Sequence, residues 1–278
     1  MTTKKIAIAA PIVAALAALC APLTQAAQKV SGTEVEAIEQ QLQSLGKRIT
    51  RLQDLTDVEI VQNAYGYYVD KGQWRSIADL FADDATLEIG GKGVFLGKER
   101  VFEYMNIGMG GGGKIGPRDS SLIDHQQFQC LPTIMEDGVT AKARCIAFVM
   151  SSGGWGHNYY EDVYTKKDGV WKLQKLRGPF NMYSGYKLGW VDQVIVNTFP
   201  EKFAPYPDLP PTVIYLTYPS YYVEPFHYPN PVTGKVFKPD MGQVGAYAAP
   251  PGTKEQADWL KAGRLADGSQ PLGEPPRN

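Results

Sequence analysis

Residues 64–85, "AYGYYVDKGQWRSIADLFADDA", read as a helix, a turn and a second helix. Asp70 closes the first helix, directly after Tyr65, Tyr67, Tyr68 and Val69. A carboxylate there is either a solvated turn residue, for which "DKG" is well suited, or a group aimed into a pocket. Upstream, Thr56 and Glu59 form a capping box that starts the helix. Val58, Val61, Tyr65 and Tyr68 supply its buried stripe at spacings of 3, 4 and 3. Lys71-Gly72 ends it, and Trp74, Ile77, Leu80 and Phe81 face inward from the helix that follows. Beyond Ala85 the period changes. "ATLEIGG" and "GVFLG" read as short strands and "KERVFEYMNI" as a third helix. Two long strand pairs come next, "DHQQFQCLPTIM" with "VTAKARCIAFVM" and "NYYEDVYTKK" with "VWKLQKLRGPF", turning at Asp137-Gly138 and Asp168-Gly169. Helices followed by a long antiparallel sheet define an α+β chain.

The amino terminus has the order of a secretory signal peptide: "MTTKK", an apolar run, then the small residues of "TQAAQ". The leader is expected to span residues 1–27, which makes the protein exported, soluble and periplasmic. A retained membrane anchor conflicts with Pro11 and the small-residue cleavage site. Lipidation at Cys20 conflicts with Leu19, where a small residue is expected. Cleavage removes Lys4 and Lys5 and leaves 26 basic against 29 acidic residues, a net charge of −3. No Lys/Arg stripe marks a nucleic-acid binder. "GMGGGGKIG" lacks the spacing and the following Ser/Thr of a phosphate-binding loop and reads as a mobile loop.

Residues 28–54 are expected to form an amphipathic helix with a capping box at Thr33 and Glu36. Val35, Ile38, Leu42, Leu45, Ile49 and Leu52 then repeat at 3, 4, 3, 4 and 3, a heptad seam nearly three heptads long. The helix either lies on its own domain or joins subunits as a short coiled coil. Residues 191–278 form a Pro/Tyr-rich extension, since fifteen of the twenty prolines follow residue 199. Proline disrupts ladders and helices, so this segment is expected to be an extended arm packed over the domain or over a neighbouring subunit, with a disordered end.

Pairing across Asp137-Gly138 joins residues whose numbers sum to 275, such as Glu136 with Val139, and so places Cys130 opposite Cys145. An oxidising compartment favours a disulfide there. Two features oppose it: the pair falls at a hydrogen-bonded position, where the Cα atoms are further apart, and Pro132 cannot donate its ladder bond and is a candidate for a bulge.

Several of these pieces together resemble the SnoaL-like branch of the nuclear transport factor 2-like (NTF2-like) superfamily. They are the helix ending in "YYVDKGQW", then "LFADDATLEIGG", then "DHQQFQ" opening the central hairpin, then "GHNYYEDVYTKKDGVWKLQKLRG". The resemblance gives a domain at residues 55–190. It implies a cone-shaped α+β barrel in which a curved antiparallel sheet wraps a helix around an interior pocket. Enzymes of this group include scytalone dehydratase, hexachlorocyclohexane dehydrochlorinase, bile acid dehydratases, polyketide cyclases and lignin-derived diarylpropane lyases. Several use an aspartate at the end of the first helix with a histidine on the central sheet, positions occupied here by Asp70 and His125. Several are trimers. By contrast, β-branched residues at two of three a positions and leucine at two of three d positions lean towards a dimer.

The implied chemistry is that of a lyase without a cofactor. Neutral His125 acts as general base, while the Asp70 carboxylate on its other nitrogen fixes the tautomer and stabilises the imidazolium. The alternative for His125 is a strand residue hydrogen-bonded in the core. Tyr65 and Tyr68 are expected to wall the pocket against water and accept a small aromatic substrate. Asn158 and Tyr160 share a strand face and line the pocket or pack in the core. His157 is a strand-start residue or a substrate contact. Lys114 and Arg118 on the glycine loop are solvated charges or oxyanion-stabilising groups. Cys130, His125, His157 and Glu161 have no recognisable metal spacing, and no metal is invoked. Within the group, the leader, the long first helix and the Tyr/Pro-rich arm look most like enzymes that release formaldehyde from a lignin-derived dimer to leave a stilbene. Dehydration of a β-hydroxy substrate and non-catalytic ligand binding are the alternatives.

Overall fold

Ser31 caps a 39-residue helix, α1 (Gly32–Asp70): its amide and hydroxyl reach Glu34 Oε2 at 2.8 and 2.9 Å. The box therefore sits at Ser31 and Glu34, two residues before the expected Thr33–Glu36 box, because both pairs satisfy the same spacing. No second box forms. Thr56 Oγ1 donates to the Leu52 carbonyl one turn back at 3.2 Å, so the helix runs on without a break. The computed structural model describes residues 31–90, 92–110, 113–187, 189, 205, 207–209, 213–215, 226–237 and 246–248. The expected leader at 1–27 and most of the extension at 191–278 lie outside them. Among the described residues, no helix is long and apolar enough to cross a membrane.

The chain divides into two units, Met1–Ile49 and Thr50–Asn278. In the first, α1 is exposed on every side, and its heptad residues from Val35 to Ile49 are 44–62% exposed. In the second, the same helix buries Val58, Gln62, Tyr65, Gly66 and Val69. It ends where the sequence predicts. Gly72 takes a φ of +61°, its amide donates to the Val69 carbonyl, and the Gln73 amide donates to that of Tyr68, the double bond of a Schellman motif.

After α2 (Trp74–Asp79), β1 (Phe81–Ile89) begins earlier than expected, at a fully buried phenylalanine. Then come β2 (Val94–Leu96), α3 (Lys98–Glu103) and a π-helical turn, Tyr104–Met109. β3 (Ile123–Ile134), β4 (Thr140–Ser151), β5 (Trp155–Lys167), β6 (Val170–Gly178) and β7 (Phe180–Ser184) complete the main sheet. Its order is β2-β1-β6-β5-β4-β3, with β7 also on β5. The sheet is curved, open and mixed rather than antiparallel throughout, because β1 runs parallel to β6. The result is a cone-shaped α+β fold in which β3 is an edge.

The β5–β6 turn is the expected tight one, with Asp168 and Gly169 at φ of 52° and 79°. The β3–β4 turn is longer. Asp137 Oδ1 accepts the amides of Val139 and Thr140, and the last main-chain bond joins Met135 to Thr140 rather than Glu136 to Val139. The sum of 275 still holds from Ile134↔Ala141 to Leu131↔Arg144. Beyond that the register slips by one residue, to Phe128↔Ile146 and His125↔Val149, through a bulge at which Gln129 adopts a φ of +52°. The bulge also brings Cys130 and Cys145 to a Cα separation of 4.1 Å, and they form a disulfide.

A one-residue slip exchanges the faces of a strand. Buried Ile134 faces inward on the turn side of the bulge, and buried His125 faces inward on the far side. Without the bulge His125 would point outward.

Two described stretches of the extension contact the domain. Leu209 bridges Val94, and the Asp208 carboxylate accepts from Arg100 Nε at 3.0 Å. Phe226 lies 4.1 Å beneath the Arg144 guanidinium, and His227 Nδ1 lies 3.0 Å from Glu161 Oε2. β8 (Val213–Tyr215) pairs with β9 (Ala246–Ala248) as a separate ribbon.

Candidate active site

Gly66 fixes how closely α1 approaches β3. A Cβ there would stand 2.7 Å from Gln127 Cγ and 2.9 Å from the His125 carbonyl oxygen. One turn later, Asp70 reaches the edge strand. Its Oδ1 accepts the main-chain amide of His125 at 2.6 Å. Burial raises the Asp70 pKa, the His125 amide opposes that rise, and nearby Asp124 adds to it. Asp70 is therefore not a free turn residue. Its bond goes to the backbone of His125 and not to the ring.

The ring makes a different contact. His125 Nε2 lies 2.6 Å from the Tyr160 hydroxyl, and Nδ1 is buried without a partner. Tyr65 stands edge-on to both rings at centroid distances of 5.9 Å. His125 is 7% exposed, and burial pulls its pKa down to about 4. Burial pushes the Tyr160 and Tyr65 hydroxyls up. At neutral pH this cluster holds a neutral imidazole and neutral phenols.

A cleft of about 410 Å³ opens beside the pair. α1 lines it with Asn63, Gly66, Tyr67 and Asp70, and β3 lines it with residues 124–128. Its aromatic rim is Tyr67, 71% exposed, and Phe128, 43% exposed. The expected wall residues are elsewhere: Tyr65 is fully buried behind His125, and Tyr68 is half-buried against the core.

Asn158 and Tyr160 lie on the buried face of β5, as expected. His157 alternates to the opposite face, where its Nδ1 accepts from Asn181 Nδ2 at 3.0 Å. The described part of the glycine loop is anchored rather than loose. The Gly116 amide donates to the Gly72 carbonyl, and Trp74 Nε1 donates to that of Lys114 at 2.6 Å. The Lys114 side chain is exposed, and Arg118 donates to the Met109 carbonyl at 3.1 Å. Neither lines the cleft. Among the described residues, no group of three His, Cys, Asp or Glu could hold a metal ion.

Two functional candidates have no place in the expected site. Gln62 sits in the buried stripe of α1, donates to Gln127 Oε1 at 3.0 Å, and accepts from the Tyr164 hydroxyl. A polar residue between Val58 and Tyr65 on an inward face was the signal for Gln62. For Gln127, which faces inward only because of the bulge, the one signal was Pro132, a candidate for a bulge without its position.

Residues 50–177 match the family model of a SnoaL-like domain. At the level of that family, the match supports a small-molecule-converting enzyme. No curated protein matches the chain. Similar solved structures include hexachlorocyclohexane dehydrochlorinase LinA-type3 from Novosphingobium barchaimii LL02, at 19% identity and a TM-score of 0.44, covering 50% of this chain and 94% of that one. A nuclear transport factor 2-like protein with a cystatin-like fold from Novosphingobium aromaticivorans is 18% identical, with a TM-score of 0.39 over 50% of this chain and 89% of that one. ActVI-ORFA from Streptomyces coelicolor is 11% identical, with a TM-score of 0.40 over 45% and 96%.

Proposed function

We propose that this SnoaL-like domain is a cofactor-independent lyase in which His125 removes a proton from a small aromatic substrate. The observation that carries the reading is a buried, neutral imidazole at a cleft that the Asp70 carboxylate, bonded to the His125 main-chain amide, also lines. A base must be unprotonated when substrate arrives, and burial keeps His125 so. Burial also penalises the imidazolium once it forms, and an adjacent carboxylate offsets that penalty. Tyr67 and Phe128 at the rim suit a flat, apolar substrate.

Proton removal beside a leaving group gives elimination. For an aromatic dimer carrying two hydroxyls, His125 takes the proton of the terminal hydroxyl and the adjacent C–C bond breaks to release formaldehyde. The electron pair then forms the stilbene double bond as the second hydroxyl departs and is protonated to water. The disulfide supports an exported, periplasmic enzyme, since such bonds persist in oxidising compartments. The exposed heptad residues support assembly through α1, a trimer by family resemblance. Replacing Leu42 and Leu45 together by Glu should lower the mass seen by light scattering, and an unchanged mass excludes the seam as an interface.

The reaction is tested by incubating purified protein, without cofactor, with lignin-derived diols and β-hydroxy ketones. Stoichiometric formaldehyde and stilbene support C–C cleavage. Alkene without formaldehyde makes the enzyme a dehydratase. Saturable binding without turnover of any substrate returns the domain to a ligand-binding module.

A further inference from the structure

The cleft of about 410 Å³ has an aromatic rim, Tyr67 and Phe128, and a polar lining that includes Asn63, Gln126 and two carboxylates, Asp70 and Asp124. Asp124, Gln126 and Phe128 occupy alternate positions on β3 and so share one face of it. There Gln126 Nε2 donates to Asp124 Oδ2 at 3.2 Å. An amide holds that carboxylate without neutralising it. Asp70 is held in the same way, by the uncharged main-chain amide of His125. Among the described residues, no Lys or Arg lines the cleft. His125 adds no charge at neutral pH, because burial draws its pKa down to about 4. One exposed cation, Lys71, does act on Asp70. After burial and the His125 amide, however, the next influence on the Asp70 carboxyl is Asp124, which raises its pKa by more than Lys71 lowers it.

We propose that the cleft selects its aromatic substrate by charge, taking uncharged alcohols and phenols or cations and rejecting aromatic carboxylates, with Asp124 as the residue that sets this specificity. The substrate class rests on the reading of this cleft as the site of a small aromatic molecule. A carboxylate entering it would give up water and meet no cation in return. It would also face two charges of its own sign. One like charge about 6 Å away, at an effective dielectric between that of a protein surface and that of water, weakens binding roughly 10-fold. The rim acts in the same sense, because the face of an aromatic ring is electronegative and attracts cations. Asp70 is already committed to the His125 backbone, which leaves Asp124 as the carboxylate whose charge is free to discriminate.

Three probes that share one methoxyphenol ring test this: vanillyl alcohol, vanillate and vanillylamine are neutral, anionic and cationic at neutral pH. Their binding to full-length protein is followed by amide chemical-shift titration, which also locates them. The alcohol and the amine should perturb amides of the cleft, and vanillate should bind at least roughly 10-fold more weakly than the alcohol. Added salt should narrow that gap, which a difference of shape alone would not do. Asp124→Asn keeps the shape and can still accept from Gln126. It should shift the vanillate-to-alcohol affinity ratio roughly 3- to 10-fold in favour of vanillate. Equal binding of alcohol and acid by the wild type overturns the proposal, and that result does not depend on any variant folding. A gap that salt leaves unchanged, a ratio unaltered in folded Asp124→Asn, or binding of all three outside the cleft overturns it equally. The titrations need no turnover. Selection by charge without turnover of any substrate counts against the lyase alone, whereas turnover with equal binding of acid and alcohol counts against the charge selection alone.

Discussion

Residues 131–134 and 123–128 of β3 pair with the same strand, yet differ by one residue in register. On the turn side the even-numbered positions face inward, with Ile134 packed in an ordinary core. On the far side the odd-numbered positions face inward, and the interior receives His125 and the Gln127 amide instead. Between them lie Gln129 in a left-handed conformation and the Cys130–Cys145 bridge. One half of the strand packs the core and the other carries the candidate base. A single inserted residue lets one β-strand do both, since alternation alone would have sent the imidazole into solvent.

Deleting Gln129 strikes this contrast hardest. The strand would regain continuous alternation, His125 would turn outward, and turnover of a confirmed substrate should fall to background; normal turnover would show that the bulge does not place the base. Cys130→Ser should cost about 3 kcal/mol, from the chain entropy of a 15-residue closure, measured by urea unfolding without reductant. Reductant should impose a similar loss on the wild type and none on the variant.

Acid acts on the far half through His125. The folded His125 pKa, about 4, lies below its ordinary value of 6.5. As pH falls the unfolded chain therefore binds the proton first, and stability is lost between about 6.5 and 4, then levels off. The loss attributable to this group is roughly 2–4 kcal/mol. His125→Gln should flatten that part of the stability–pH curve, and an identical slope would place the effect elsewhere. The smallest effect belongs to the hinge between the halves. Gln129→Gly should be neutral or stabilising by up to about 1 kcal/mol, while Gln129→Val should lose about 1–2 kcal/mol at a positive φ.

The end of α1 was legible because Lys71-Gly72 is a helix stop with a mechanism, and the hairpins because Asp-Gly marks their turns. The faces of β5 were also legible: parity separates His157 from Asn158 and Tyr160. The parallel pairing of β1 with β6 was not, since alternation is the same in either orientation and the partners lie some 90 residues apart. Pro132 pointed to a bulge but not to its place, because nothing in "FQCLP" announces a left-handed glutamine. That omission matters for the site. Counted from the turn, the ladder sends His125 outward, and only the family resemblance placed it by Asp70. Both residues do meet at one cleft, through the His125 backbone rather than its ring. The aromatic wall was misplaced because spacing identifies an inward stripe without saying whether it packs or opens. Tyr65 packs, and Tyr67, on the polar side of the helix, opens.

The central claim is that His125, held in place by Asp70, is the base. Steady-state kinetics of His125→Ala, Asp70→Asn and the double variant on one confirmed substrate test it most directly. His125→Ala should lose roughly 10²–10⁴-fold in kcat, the usual contribution of general acid–base catalysis. Asp70→Asn should also be severely impaired, and the double variant should be little worse than the worse single one, because the two act as a unit. Near-normal turnover by folded His125→Ala, or fully additive losses in the double variant, would contradict the account.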